Sequence, residues 1–208
     1  MIHALARQRE NKRECWIQGS VVPWPAVSPR SIAKELIKVQ PTHIQHDDYS
    51  GQEEETSAVK RQASVFAGKA ADYFSRDYNC AQSVLLAMQE YYGIRRNRLI
   101  PRIATAFGGG IGRRGSLCGA LTGAIMAIGL KHGTDKTVLI EKEKAYEMAL
   151  KFYDQFAKEC GSPFCRELIG YDLTNPEELE KMRKSNVREE KCCGFVKKAV
   201  EILIGLEK

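Results

Sequence analysis

The sequence predicts an all-α fold, a multi-helix bundle, and three observations carry that prediction. Beyond residue 52, apolar residues recur at spacings of three and four along most of the chain. Cap and stop residues punctuate those stripes, with Asn79, Ser116, Ser162 and Asn175 at starts and Gly93 at a stop. No segment alternates apolar and polar residues as a half-buried strand would.

Residues 1–52 form an N-terminal extension of different character. It holds Pro23, Pro25, Pro29 and Pro41 of the seven prolines and both tryptophans, Trp16 and Trp24, with only a short helical stretch from Ser31 to Val39. Weak intrinsic order is expected, and a loosely packed arm is the simpler reading than a docking element built on Trp16 or Trp24. Cys15 lies in this arm away from any helix start and is given no role.

Residues 53–208 form the helical domain. Val59, Ala63, Phe66, Ala70 and Phe74 stripe a first helix, and Val84, Leu85, Met88 and Tyr92 a second over about 79–92, ended by Gly93. A shorter helix from Arg98 to Phe107 leads into Gly108-Gly109-Gly110-Ile111-Gly112-Arg113-Arg114-Gly115, followed by an apolar helix, Leu117 to Leu130. Val138, Ala145, Ala149, Phe152 and Phe156 mark a long helix from Asp135 to Lys158. Pro163 after Ser162, and Pro176 after Asn175, suit the first turns of two short helices. Phe195, Val196, Ala199, Ile202 and Leu203 define the last helix, which Ser185 or Asn186 could start earlier.

Composition narrows the function. A chain of 208 residues, 43% hydrophobic and 28% charged, suits one soluble domain with a tail. The net charge of +6 is interspersed, as in Glu141-Lys142-Glu143-Lys144, which argues against a nucleic-acid footprint. The Leu117 to Leu130 run is shorter than the roughly 20 residues that cross a bilayer, so no membrane span is expected. The N-terminus lacks a secretory signal pattern, and a cytoplasmic location is expected. Seven cysteines in such a chain point to redox-active or metal-ligating thiols rather than permanent disulfides.

The thiols cluster at predicted helix starts. Cys80 follows Asn79, Cys118 follows Ser116 with Arg113 and Arg114 nearby, Cys165 follows Ser162, and Cys192-Cys193 precede the last apolar stripe. Unpaired N–H groups and the positive end of the dipole favour thiolate there. A buried cysteine is often only a small hydrophobe, but a core hydrophobe has no reason to prefer helix starts. Vicinal Cys192 and Cys193 cannot both face the core, so at most one of them belongs to the site. Cys160, five residues before Cys165, gives a C-x4-C spacing that is weak as a zinc signature.

Four separated blocks resemble the C_GCAxxG_C_C family of redox-active proteins. They are Asn79-Cys80-Ala81-Gln82, then Phe107-Gly108-Gly109-Gly110-Ile111-Gly112 running into Cys118-Gly119-Ala120-Leu121-Thr122-Gly123, then Cys165-Arg166-Glu167-Leu168, and Cys192-Cys193-Gly194-Phe195-Val196. The resemblance covers about residues 60–205. It implies a redox role carried by Cys80, Cys118, Cys165 and Cys192, and names no substrate.

Gly110-x-Gly112-x-x-Gly115 formally matches a dinucleotide fingerprint, but the preceding segment is helical and no βαβ unit surrounds it. A small anion held by Gly110, Gly112, Arg113 and Arg114 is the remaining cofactor-binding reading of the loop. Gly119, Gly123 and Gly129 are expected to let a neighbouring backbone approach. His3, His43, His46 and His132 offer no ligand spacing beyond His43 and His46 in the arm; His132, at a helix end, is read as dipole-stabilised.

Three functions follow. The first is thiol–disulfide exchange or electron transfer, in a thiol-based oxidoreductase or an accessory protein with a redox partner protein, Cys118 being the activated thiolate and Cys80, Cys165 or Cys192 its partner. The second is a four-thiolate site of the same residues for zinc or an iron–sulfur cluster. The third is a non-catalytic helical interaction module. A homodimer is compatible with glycine-flattened helices, though no seam specifies one.

Overall fold

The computed structural model describes residues 14–17, 20–23 and 49–207, with side chains from 56 to 207. The chain divides into two compact units, Met1–Asp47 and Asp48–Lys208. In the first, strands β1 (Glu14–Ile17) and β2 (Ser20–Pro23) pair antiparallel, with Cys15 opposite Val22 and Trp16 opposite Val21. This hairpin is not anticipated by the helical periodicity; β-branched Ile17, Val21 and Val22 favour its extended backbone. The helix expected from Ser31 to Val39, and Trp24, His3, His43 and His46, lie outside the described residues.

The second unit is all-α. Its described helices are α1 (Tyr49–Ser75), α2 (Cys80–Tyr91), α3 (Leu99–Ile103), α4 (Gly119–His132), α5 (Ile140–Cys160), α6 (Cys165–Ile169), α7 (Pro176–Lys184) and α8 (Cys193–Leu206). A 3₁₀ turn, Thr105–Phe107, follows α3, and a π-helical turn, Arg188–Cys192, runs directly into α8. Helix α4 is packed by α2, α5 and α8, while α1 lies across α2 and α8. A helix surrounded on so many sides must be apolar nearly all round, and Ala120, Leu121, Ala124, Ala127 and Ile128 are accordingly buried. Leu85 and Met88 from α2, Phe152 and Phe156 from α5, and Val196, Val200 and Leu203 from α8 complete the core. Each such side chain contributes about 1.5–3 kcal/mol relative to exposure.

Several boundaries shift from the sequence expectation, each for a local reason. The helix expected from Arg98 splits into α3 and the 3₁₀ turn. Helix α4 begins after Cys118, its N-cap, not at Ser116, because Ser116 and Leu117 are engaged in backbone pairing with residues 163–165. Helix α5 begins at Ile140, not Asp135; Val138 precedes it and is exposed, while Glu141 receives bonds from the Thr134 hydroxyl and the Lys136 ammonium. Asn175 caps α7, with Pro176 at its first position.

The approach of α2 to α4 is set by glycine. A Cβ on Gly123 would stand 2.6 Å from the Ala81 carbonyl oxygen and 2.9 Å from its Cα. One on Gly119 would meet the Cys80 Cβ at 3.0 Å and the Phe107 carbonyl oxygen at 3.2 Å. Gly129 differs from expectation, since nothing lies within 4 Å of its would-be Cβ.

At the opposite ends of α2, α4 and α8, a buried carboxylate ties the bundle. Glu207 accepts from Tyr92 Oη at 2.6 Å and Lys131 Nζ at 2.8 Å, and His132 Nε2 lies 3.1 Å from each of its oxygens. Burial opposes the charge, yet the Lys131, Tyr92 and His132 bonds outweigh it and hold the Glu207 pKa below the usual carboxylate value. His132 is thus a buried clamp, its side chain only 8% exposed, rather than an isolated helix-end charge.

Candidate functional site

Four separate backbone devices bring thiols to one end of the bundle. Asn79 caps α2 in a reciprocal box with Gln82 and fixes Cys80 as its first residue. The same two side chains reach the next segment: Asn79 Nδ2 donates to the Thr105 carbonyl at 2.9 Å, and Gln82 Nε2 donates to the Pro101 carbonyl at 2.9 Å. Asn79-Cys80-Ala81-Gln82 therefore presents a thiol and pins the neighbouring turn at once.

Cys118 and Cys165 are coupled through the main chain. Leu117 and Phe164 form an antiparallel bridge, in which Cys118 N–H donates to the Pro163 carbonyl at 2.8 Å and Cys165 N–H donates to the Ser116 carbonyl at 2.7 Å. Ser162 Oγ accepts from Phe164 N–H at 3.0 Å and holds the turn before α6, so that Cys165 opens α6.

The glycine-rich loop is a left-handed turn packed against this bridge. Gly109, Gly110, Ile111, Gly112 and Arg113 all have φ between 59° and 71°. At Gly110 a side chain is barred by space as well, since a Cβ would lie 2.7 Å from the Cys165 Cβ and from Ser116 backbone atoms. The N–H groups of residues 111–116 donate to the carbonyls of Phe107, Ala106, Gly108, Ile111, Gly109 and Gly110. The amides of Gly112, Arg113 and Arg114 are thus taken up within the loop. Ile111 and Arg113 adopt a conformation costing an L-residue about 1–2 kcal/mol. Arg113 projects into a cleft, whereas Arg114 does not line it.

Cys192 is positioned by the π-helical turn. Residues 188–192 continue from a helical start at Val187, with Glu190 N–H donating to the Asn186 carbonyl. A π-turn inserts a residue into the α-helical repeat, a device often found at functional sites. It directs Cys192 to the site; Cys193 packs on the main core and lines no described cavity. Cys160, the last residue of α5, also packs on the core, and burial pushes its thiol up to about 11.

Cys80, Cys118, Cys165 and Cys192 together line one small enclosed cavity of about 10 Å³. Three of them, Cys80, Cys165 and Cys192, also line a solvent-open cleft of about 520 Å³ whose walls include Phe74, Leu173 and Met182. Cys118 sits behind, 5% exposed. None of the six described cysteines is in a disulfide.

Electrostatics separate the four. Cys192, despite its partial burial, is held below the ordinary cysteine value by the neighbouring Cys80 thiol, with the Arg188 charge helping. Cys80 in turn is pushed well above that value by Cys192 and by burial. Burial raises Cys118 to about 11 although the N–H groups of Ala120 and Leu121 favour its thiolate, and burial raises Cys165 to about 12. At Cys118 the helix-start amides favour the thiolate and burial opposes it, burial being the larger effect.

Four thiolates suit zinc or an iron–sulfur cluster as donors. As the side chains stand, no group of three or more Cys, His, Asp or Glu among the described residues is arranged around one metal position.

The family model described as "Putative redox-active protein (C_GCAxxG_C_C)" matches residues 78–206. The chain belongs to the C_GCAxxG_C_C family. The match spans α2 to α8 and all four site thiols. An uncharacterized protein of Archaeoglobus fulgidus is 31% identical over 134 residues, which are 61% of this chain and 82% of that relative. No solved structure matches. Among the described residues no helix is long and apolar enough to cross a membrane.

Sequence reasoning missed the Leu117–Phe164 bridge, the π-turn, and two arginines of the cleft, Arg183 and Arg188. Arg188 carried a usable signal, standing four residues before Cys192 at a helical spacing.

Proposed function

We propose that this protein is a dithiol redox protein of the cytoplasm in which Cys192 is the attacking thiolate and Cys80 the resolving thiol. The observation that carries the reading is that Cys80 and Cys192 line the same open cleft and the same small cavity. Thiolate attack needs a lowered pKa and access, and Cys192 has both. Cys80 then stands ready to close a Cys80–Cys192 disulfide. Cys165, at the cleft wall, and Cys118, behind it, supply a shell of protonated thiols.

A second reading has one observation in its favour: all four thiols converge on a single small cavity, as ligands of zinc or an iron–sulfur cluster would. One preparation separates the two. The chain is purified anaerobically, its metal and acid-labile sulfide are measured, and thiols are counted with a neutral disulfide before and after unfolding. The dithiol reading expects no stoichiometric metal and rapid reaction of Cys192 in the folded protein. Colour with about one metal site per chain, and four thiols unreactive until metal is stripped, would overturn it in favour of the second.

A further inference from the structure

The cleft above the thiol pair has one sign of charge. Arg113, Arg183 and Arg188 line it, and no carboxylate, lysine or histidine does. Arg188 is fixed over the Phe74 ring, 4.6 Å from its centroid, and donates to the Phe74 carbonyl at 3.4 Å. Its nearest carboxylate, Asp77, is 4.0 Å away with a side chain 98% exposed, so the charge of Arg188 is not cancelled. Arg183 is 3.7 Å from Glu180, which also pairs with Lys184. Arg113 makes no side-chain hydrogen bond or ion pair among the described residues, although its backbone is held left-handed at φ 66°. Arg113 is exposed, so its guanidinium is open to an anion entering the cleft.

We propose that the cleft selects small disulfides bearing carboxylates at their ends, the arginines taking the charges and Phe74, Leu173 and Met182 the carbon skeleton. The proposal rests on the dithiol reading above and adds the substrate class. Cys192 thiolate attacks one sulfur of the disulfide R–S–S–R, forming a Cys192–S–S–R bond and expelling RS⁻. Cys80 attacks the Cys192 sulfur, closing Cys80–Cys192 and expelling the second RS⁻. The protein dithiol loses two electrons and the disulfide gains them; the one proton of the Cys80 thiol ends on one leaving group as RSH, and the other leaves as RS⁻, to be protonated by solvent according to its own pKa.

The test uses the full chain, reduced and anaerobic, in stopped-flow single turnovers. The probes are 5,5′-dithiobis(2-nitrobenzoate), a dianion, 2,2′-dithiodipyridine, neutral, and cystamine, a dication. Each rate is divided by that of the unfolded chain with the same probe. We expect the normalised dianion rate to exceed that of the dication by about tenfold at low salt, the gap closing as salt rises. Arg113→Gln with Arg183→Gln should shrink it about fivefold, a larger change than any in the rate of the neutral probe. Equal normalised rates for dianion and dication, or a gap indifferent to salt, would overturn the proposal while leaving the dithiol reading intact, whether or not the double variant folds. A folded chain inert toward the neutral probe would overturn both.

Discussion

Replacing Gly123 by alanine tests the close approach on which the site depends. The new methyl would lie 2.6 Å from the Ala81 carbonyl oxygen and 2.9 Å from its Cα. Both atoms are backbone of a packed helix, so α2 and α4 must part rather than a side chain swing away. Overpacking of this kind costs about 1–3 kcal/mol, which at roughly 2–4 °C per kcal/mol lowers Tm by about 2–12 °C. Gly129→Ala, on the same helix, supplies the opposite sign. It is exposed with open space around its Cβ, so alanine should stabilise by about 0.5–1 kcal/mol and raise Tm by about 1–4 °C. Thermal unfolding followed by circular dichroism measures both. If Gly123→Ala melts at or above wild type, the two helices are not in backbone contact there, and the seating of Cys80 beside α4 loses its explanation.

Three further outcomes follow from the geometry. The rate of Cys192 with neutral 2,2′-dithiodipyridine should rise with pH to a plateau whose midpoint lies below that of the same cysteine in the unfolded chain. Cys80→Ala should move that midpoint up, whereas a midpoint that stays put would deny that Cys80 favours the Cys192 thiolate. Glu207→Gln should cost about 2–3 kcal/mol at pH 7 in denaturant unfolding. Because folding lowers the Glu207 pKa, its contribution is complete above the unfolded value of about 4.3 and fades as pH falls through the folded value; the variant and wild type should therefore converge in acid, and a constant gap would contradict the clamp. Asn79→Ala removes a cap and the bond to the Thr105 carbonyl and should cost about 1–2 kcal/mol in the same assay, a change within error counting against the capping box.

The helices were legible because their cause is local. Apolar spacing located α1, α2, α5 and α8 within a few residues, and Asn79 and Asn175 announced their helices by side-chain chemistry. Cys80, Cys118 and Cys165 stand at helix starts as the sequence implies, whereas Cys192 lies inside a helical run that opens at Val187. What local pattern could not supply was desolvation. Cys118 has the amides its sequence context promised, but their effect is outweighed by a burial that only tertiary packing creates. The Ser116–Cys118 pairing with Pro163–Cys165 is likewise long-range, and it moved both helix starts. The π-turn before α8 arises where one helix must serve two surfaces, Cys192 facing the cleft and Val196 the core.

The most direct test of the account is which thiols join on mild oxidation. The reduced chain is treated anaerobically with one equivalent of a small disulfide, alkylated, digested and mapped by mass spectrometry. The account predicts a single Cys80–Cys192 linkage, reversed by a dithiol reductant. A linkage that joins Cys118 to Cys165 or Cys160, or a chain that takes up no oxidising equivalent while folded, would contradict it.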